Sequence, residues 1–161
     1  STDPYFSEPV FIDFAQLVFA RAQEMRGTGN RGPLEAWMGG EAIDKLFAFD
    51  PHARIVWAHA GMSEPPRVID RMLSRYPALW ADLSYRDVAP GGTLDAEWKA
   101  LFLKYPDRFV YGSDTWIPSR WEEVGSLTQQ ARGWLAQLPP EVAENIAWRN
   151  AERIFGKIGD E

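Results

Sequence analysis

The chain reads as an α/β protein built on a parallel sheet, and three observations carry that reading. Short apolar runs alternate with amphipathic helical patterns, as strands joined by helical crossovers do. Two of the runs, Ile55-Val56-Trp57-Ala58-His59 and Phe109-Val110-Tyr111-Gly112-Ser113-Asp114, stop on a side chain that can bind metal or move a proton. The 161 residues are 45% apolar and include 8 Trp, 9 Phe and 5 Tyr, ample for a packed core.

The elements follow in order. Residues 8–26 place Phe11, Phe14, Leu17, Val18, Ala22 and Met25 on one helical face, and Gly27, Gly29 and Gly32 end that helix. Residues 34–38 are a weak strand candidate closed by Gly39-Gly40. A helix over 41–49 stops at Asp50-Pro51, because proline disfavours helix in the residue before it. The strongest strand spans 54–59. After it, Glu64-Pro65-Pro66 suits a helical first turn, with Val68, Ile69, Met72, Leu73 and Tyr76 on one face. A strand over 79–84 and a Gly-rich turn at 90–92 lead into a helix that aligns Leu94, Trp98, Leu101, Phe102 and Tyr105. The last strand covers 108–113. Ser119-Arg120-Trp121-Glu122 reads as a capping box for a long helix to about Leu138, and Pro139-Pro140 opens a final one.

Four strands and no break in composition predict a single domain over 1–161. Four parallel βα repeats can form a small open sheet; they are also half of an eight-stranded barrel, which typically takes ~250 residues. A net charge of −6 and a pI near 5.0 argue against a nucleic-acid partner or an anionic membrane surface. No apolar stretch of ~18 residues is present, so the expectation is a soluble protein, cytoplasmic by default. The absence of cysteine removes a thiolate nucleophile and a Cys-ligated zinc. No phosphate-binding glycine motif and no Gly-x-Ser-x-Gly elbow occur, which excludes nucleotide-binding and serine-hydrolase readings.

Four segments together carry a family resemblance: Phe49-Asp50-Pro51 before Ile55-Val56-Trp57-Ala58-His59-Ala60-Gly61-Met62; Trp80-Ala81-Asp82-Leu83-Ser84; Asp107-Arg108-Phe109-Val110-Tyr111-Gly112-Ser113-Asp114; and Asn150-Ala151-Glu152-Arg153-Ile154-Phe155. From about residue 30 onward the chain resembles the C-terminal half of the amidohydrolase-related metal-dependent hydrolases, members of the amidohydrolase superfamily. The resemblance implies strands five to eight of a distorted (β/α)8 TIM-type barrel. It matches His59 to the sixth-strand histidine and Asp114 to the eighth-strand aspartate, which makes both expected metal ligands and catalytic residues. It implies a divalent metal, zinc first, and a small-molecule substrate. The family's first-strand His-x-His has no counterpart in this sequence. Its fifth-strand histidine should fall near Trp37 or Met38, and His52 should lie at the far end from His59. Two ligands remain where a catalytic zinc takes three. An isolated chain is therefore expected to be incomplete or inactive.

Around these two, substrate contacts are expected from Asp82, Ser84, Arg86 and Trp116. Asp82 and Ser84 sit two apart on a strand and share a face, pointing either at a ligand or at neighbouring backbone. Arg86 can pair with Asp82 or bind a substrate carboxylate. Trp116 follows Asp114-Thr115 and can cover a pocket or a partner surface. His59 could equally be a strand-end histidine satisfied by hydrogen bonds, and Asp114 a helix N-cap. Two open strand edges and an inner face bearing Val56, Leu83 and Val110 predict self-association or pairing with a complementary half-barrel. The alternative function is then a non-catalytic binding or assembly module that has lost its metal site.

Overall fold

Three of the apolar runs form strands, and they are shorter than their hydrophobic patterns. β1 is Ile55–Trp57, β2 is Leu79–Asp82 and β3 is Phe109–Val110. They make one parallel sheet in the order β1-β2-β3, with Ile55 opposite Leu79 and Ala81 opposite Phe109. The computed structural model describes residues 39–62, 64–115 and 118–156. The helix predicted over 8–26, the strand predicted over 34–38 and Trp116 lie outside them.

Helix α1 (Gly40–Phe49) precedes β1, α2 (Pro66–Arg75) joins β1 to β2, and α3 (Ala96–Lys104) joins β2 to β3. Pro66 opens α2, where its missing N–H has no partner to lose. Asp95 caps α3 by accepting from the Glu97 N–H at 2.9 Å and the Trp98 N–H at 3.1 Å. Parallel strands in sequential order with right-handed crossovers carry their helices on one face of the sheet. The core lies on that side. Leu79, Ala81, Leu83 and Phe109 face it, together with Ile69, Met72 and Phe102 from the helices. Each such large side chain contributes about 1.5–3 kcal/mol by leaving water. Phe102 anchors an aromatic cluster, 4.9 Å from the Phe109 ring and 5.6 Å from Trp134. Leu83 therefore belongs to the helix side, not to the inner face expected for it: the register puts it beside Ala81, while Val56, Asp82 and Val110 fall on the opposite face.

Helix α4 (Pro118–Leu135) follows β3. Because it already includes Pro118, Ser119 stands within its first turn and is not the cap of a capping box. The chain closes with α5 (Pro140–Glu144), a wide π-turn over Asn145–Arg149, and α6 (Asn150–Phe155). In the π-turn the Asn150 N–H reaches the Asn145 carbonyl, so the Ile146 carbonyl loses its ordinary donor four residues on. It accepts from the Tyr111 N–H instead, at 2.9 Å, and so continues the hydrogen bonding of β3 beyond the sheet. Asn150 is fully buried and donates its side-chain amide to the Pro106 and Phe109 carbonyls at 3.0 and 2.8 Å. The Asn150-Ala151-Glu152-Arg153 segment thus fastens the strand that leads to Asp114. Among the described residues no helix is long and apolar enough to cross a membrane.

Candidate functional site

The site stands at the C-terminal ends of the strands, where an α/β sheet holds ligands. Among the described residues, the five non-glycine residues with positive φ all lie in the loops that leave the strand ends: His59, Ala60 and Met62 after β1, Tyr85 after β2 and Asp114 after β3. Left-handed backbone at such residues is held only where the surroundings dictate it, and it clusters at functional sites.

His59 has φ 55° and ψ 22°, and Ala60 φ 43° and ψ 44°, so the chain reverses as soon as β1 ends. The reversal presents the His59 N–H to Asp82 Oδ2 at 3.2 Å. Asp82 ends β2, and its carboxylate is held on both oxygens. Oδ1 accepts from the Ser84 N–H at 3.1 Å, and Oδ2 accepts from the Ser84 hydroxyl as well as from His59. Gly112 leaves the room for this. A Cβ there would stand inside 3.0 Å of Asp82 Oδ1.

The hydrogen-bond pattern assigns the His59 tautomer. Ser84 has one proton, and a carboxylate only accepts, so the hydroxyl donates to Asp82. The Ser84 oxygen then receives the proton on His59 Nδ1, 2.9 Å away. In the neutral imidazole Nε2 then carries the free lone pair. It faces Asp114 Oδ2 at 3.9 Å, too far for a hydrogen bond. The imidazole is 17% exposed and the Asp114 carboxyl 34%, so both can be reached from outside.

Two residues complete the rim. The Tyr85 ring meets His59 edge-on, with centroids 5.4 Å apart. The Arg120 guanidinium, from α4, lies 4.2 Å over Tyr85 and donates from Nε to the Ser113 carbonyl at 3.1 Å. Arg120 thereby links the loops after β2 and β3. Tyr85 and Arg120 are absent from the sequence-derived set; the one signal for Tyr85 is its place between Ser84 and Arg86 at a strand end. Arg86 turns away from Asp82. It donates to the Met62 and Glu64 carbonyls and lies 4.9 Å over Trp98, which makes it a clamp on the loop after β1. Burial pulls its guanidinium below the ordinary range, partly offset by the Glu64 charge. His52 is exposed in the turn before β1, at the opposite end from His59, where its N–H bonds Asp50 Oδ1 at 2.9 Å.

The donor set can be tested against a metal. Two ligands ~2.0–2.2 Å from one ion stand roughly 3.4 Å apart at a tetrahedral angle, close to the His59–Asp114 spacing. A third donor is missing: both Asp82 oxygens already accept hydrogen bonds, and among the described residues no three His, Cys, Asp or Glu side chains converge. The described residues do not by themselves make a metal site.

No curated protein and no solved structure matched the chain. The family model described as amidohydrolase matches residues 37–157, a span that includes β1 to β3, His59, Asp82 and Asp114. With three quarters of its length inside that match, the chain belongs to the amidohydrolase family.

Proposed function

We propose that this domain supplies one edge of an amidohydrolase-type hydrolytic centre acting on a small molecule, and that the remaining groups come from a second polypeptide segment. The observation that carries the reading is the convergence of His59 Nε2 and Asp114 Oδ2, 3.9 Å apart at the strand ends, with Nδ1 tied back to Ser84. In this role Nε2 takes up a proton or lends its lone pair. Asp114 stabilises the imidazolium that results, and Asp82 and Ser84 hold the ring in place. Sequential parallel strands with helices on one face support a half-barrel, whose other face would line the interior of a closed barrel. A complementary half, or a second copy about a two-fold axis, would add strands at the sheet's edges and bring further donors to the same mouth.

The shortage of donors favours a second reading, an assembly module without a metal. Sedimentation at micromolar concentration with and without zinc, and metal content measured on each species, separates the two. The monomer is expected to gain almost no thermal stability from excess zinc, with His59→Ala making no difference to that gain. An associated species carrying stoichiometric metal that His59→Ala removes supports the hydrolytic centre. An associated species that stays metal-free after loading supports the module. A monomer strongly stabilised by zinc through His59 would refute the idea that ligands are missing.

A further inference from the structure

The rim does not end at the imidazole. Tyr85 and Arg120, which complete it, are also walls of a cavity of about 690 Å³ between the loop after β2 and α4. The cavity therefore opens at the rim, and its volume is in the range of small-molecule sites. Leu83, Leu127 and Trp134 contribute an apolar lining.

Tyr85 stands at the junction. It is 45% exposed, so its ring can be met from outside. Two contacts fix that ring: Arg120 lies 4.2 Å over it, and the His59 imidazole stands at 83° to it. Arg120 is itself held by the Ser113 carbonyl and by Glu123 Oε2 at 3.2 Å, with only 14% of its side chain exposed. The tyrosine ring is thus kept from folding back onto its own loop. Its backbone keeps a φ of 58°, which glycine would adopt freely. A strained residue whose ring is immobilised, open and next to His59 has the properties of a preorganised contact surface for a ligand.

We propose that Tyr85 is the specificity-determining residue of the rim: it stacks a planar, aromatic or conjugated group of the substrate at the mouth of the cavity and so turns the reacting group toward His59 Nε2. The assignment rests on the reading of the rim as a hydrolytic edge, and it narrows the substrate to a planar small molecule. Charge does not make the selection, because cavity and rim carry both signs, Arg86 and Arg120 against Asp87 and Asp114.

Titration of the metal-free full chain with two neutral probes, benzamide and cyclohexanecarboxamide, tests it. They share the amide and the size of the ring and differ in planarity. Benzamide should saturate with a dissociation constant on the order of 1 mM, and cyclohexanecarboxamide should bind about five-fold more weakly, the worth of one stacked ring. The ring-nitrogen signals of His59 should shift as benzamide saturates. Tyr85→Phe should keep the preference, since stacking needs the ring and not the hydroxyl, and Tyr85→Leu should abolish it. Melting of each variant controls for folding, and Tyr85→Gly, which relieves the backbone, repeats the measurement should the leucine variant fail to fold. No saturation by benzamide up to about 10 mM, equal affinities for the two probes, a preference that survives loss of the ring, or binding that leaves the His59 signals unmoved would overturn the assignment. Every arm reads binding without metal, so failure of the hydrolytic reading shows in metal content and failure of this one shows here.

Discussion

Gly112→Ala is the sharpest probe of how the site is held. The added Cβ would fall inside 3.0 Å of Asp82 Oδ1, a separation that real Cβ atoms do not adopt. The carboxylate must retreat by about 0.5 Å or more, since overpacking is relieved by shifting the neighbour. That retreat stretches the Ser84 N–H bond from 3.1 Å to beyond the limit of a hydrogen bond. Overpacking costs ~1–3 kcal/mol and a lost charge-assisted bond ~1.5–3 kcal/mol, so a destabilisation of about 2–4 kcal/mol is expected after partial relaxation. Urea unfolding with an unchanged slope reads it. Gly125→Ala is the control: Gly125 lies within α4 with open space around it, and alanine there should stabilise by up to ~1 kcal/mol. In an Asp82→Ala background the Gly112→Ala penalty should shrink below about 0.5 kcal/mol, which ties the cost to that one contact. A Gly112→Ala protein as stable as its parent would refute the geometry of the whole Asp82–Ser84–His59 network.

Ser84→Ala removes the acceptor for His59 Nδ1; nitrogen NMR of the neutral imidazole should change from a single Nδ1-protonated form to a tautomer mixture, and an unchanged spectrum would refute the assignment. Asn150→Ala leaves the Pro106 and Phe109 carbonyls without their side-chain donor, and denaturant unfolding should show a loss of roughly 3 kcal/mol. Asp70 has its carboxyl held below the usual range by hydrogen bonds from Lys104 and Tyr105. Its contribution is therefore present above the ordinary carboxylate value near pH ~4 and lost as pH falls through the lowered one. At a half-exposed site the effect is screened: Asp70→Asn should cost under about 1 kcal/mol at pH 7, with the difference from wild type closing in strong acid.

Apolar runs bounded by turn residues were enough to locate β1, β2 and β3, because a buried strand needs little more than a continuous run of large side chains. The same signal overran the ends. Ala58 and His59 continue the run of β1, yet the backbone turns left-handed there to bring the His59 N–H to Asp82, a tertiary demand that local propensity does not encode. The pairing of His59 with Asp114 was legible from their places at strand ends. The positioning role of Asp82 and Ser84 was not, since it depends on which oxygen meets which donor. Arg120 joins the rim from α4, near Ser113 in sequence but far from Tyr85, and no spacing rule announces the second of these partners. The π-turn was invisible for a related reason: Asn145–Arg149 has an ordinary helical pattern, and what widens it is the Tyr111 N–H that it meets.

The left-handed residues at the strand ends have a consequence for how this protein can be improved or damaged. At on the order of 1 kcal/mol each, five of them take up a sum comparable to the whole net stability of many small domains. Glycine would relieve that strain at any of the five, so a selection for thermal resistance alone should drift toward glycine at the strand ends and erase His59, Tyr85 and Asp114 as it went. Stability and chemistry make opposing demands on the same strand ends, and a screen that rewards only the first will dismantle the second.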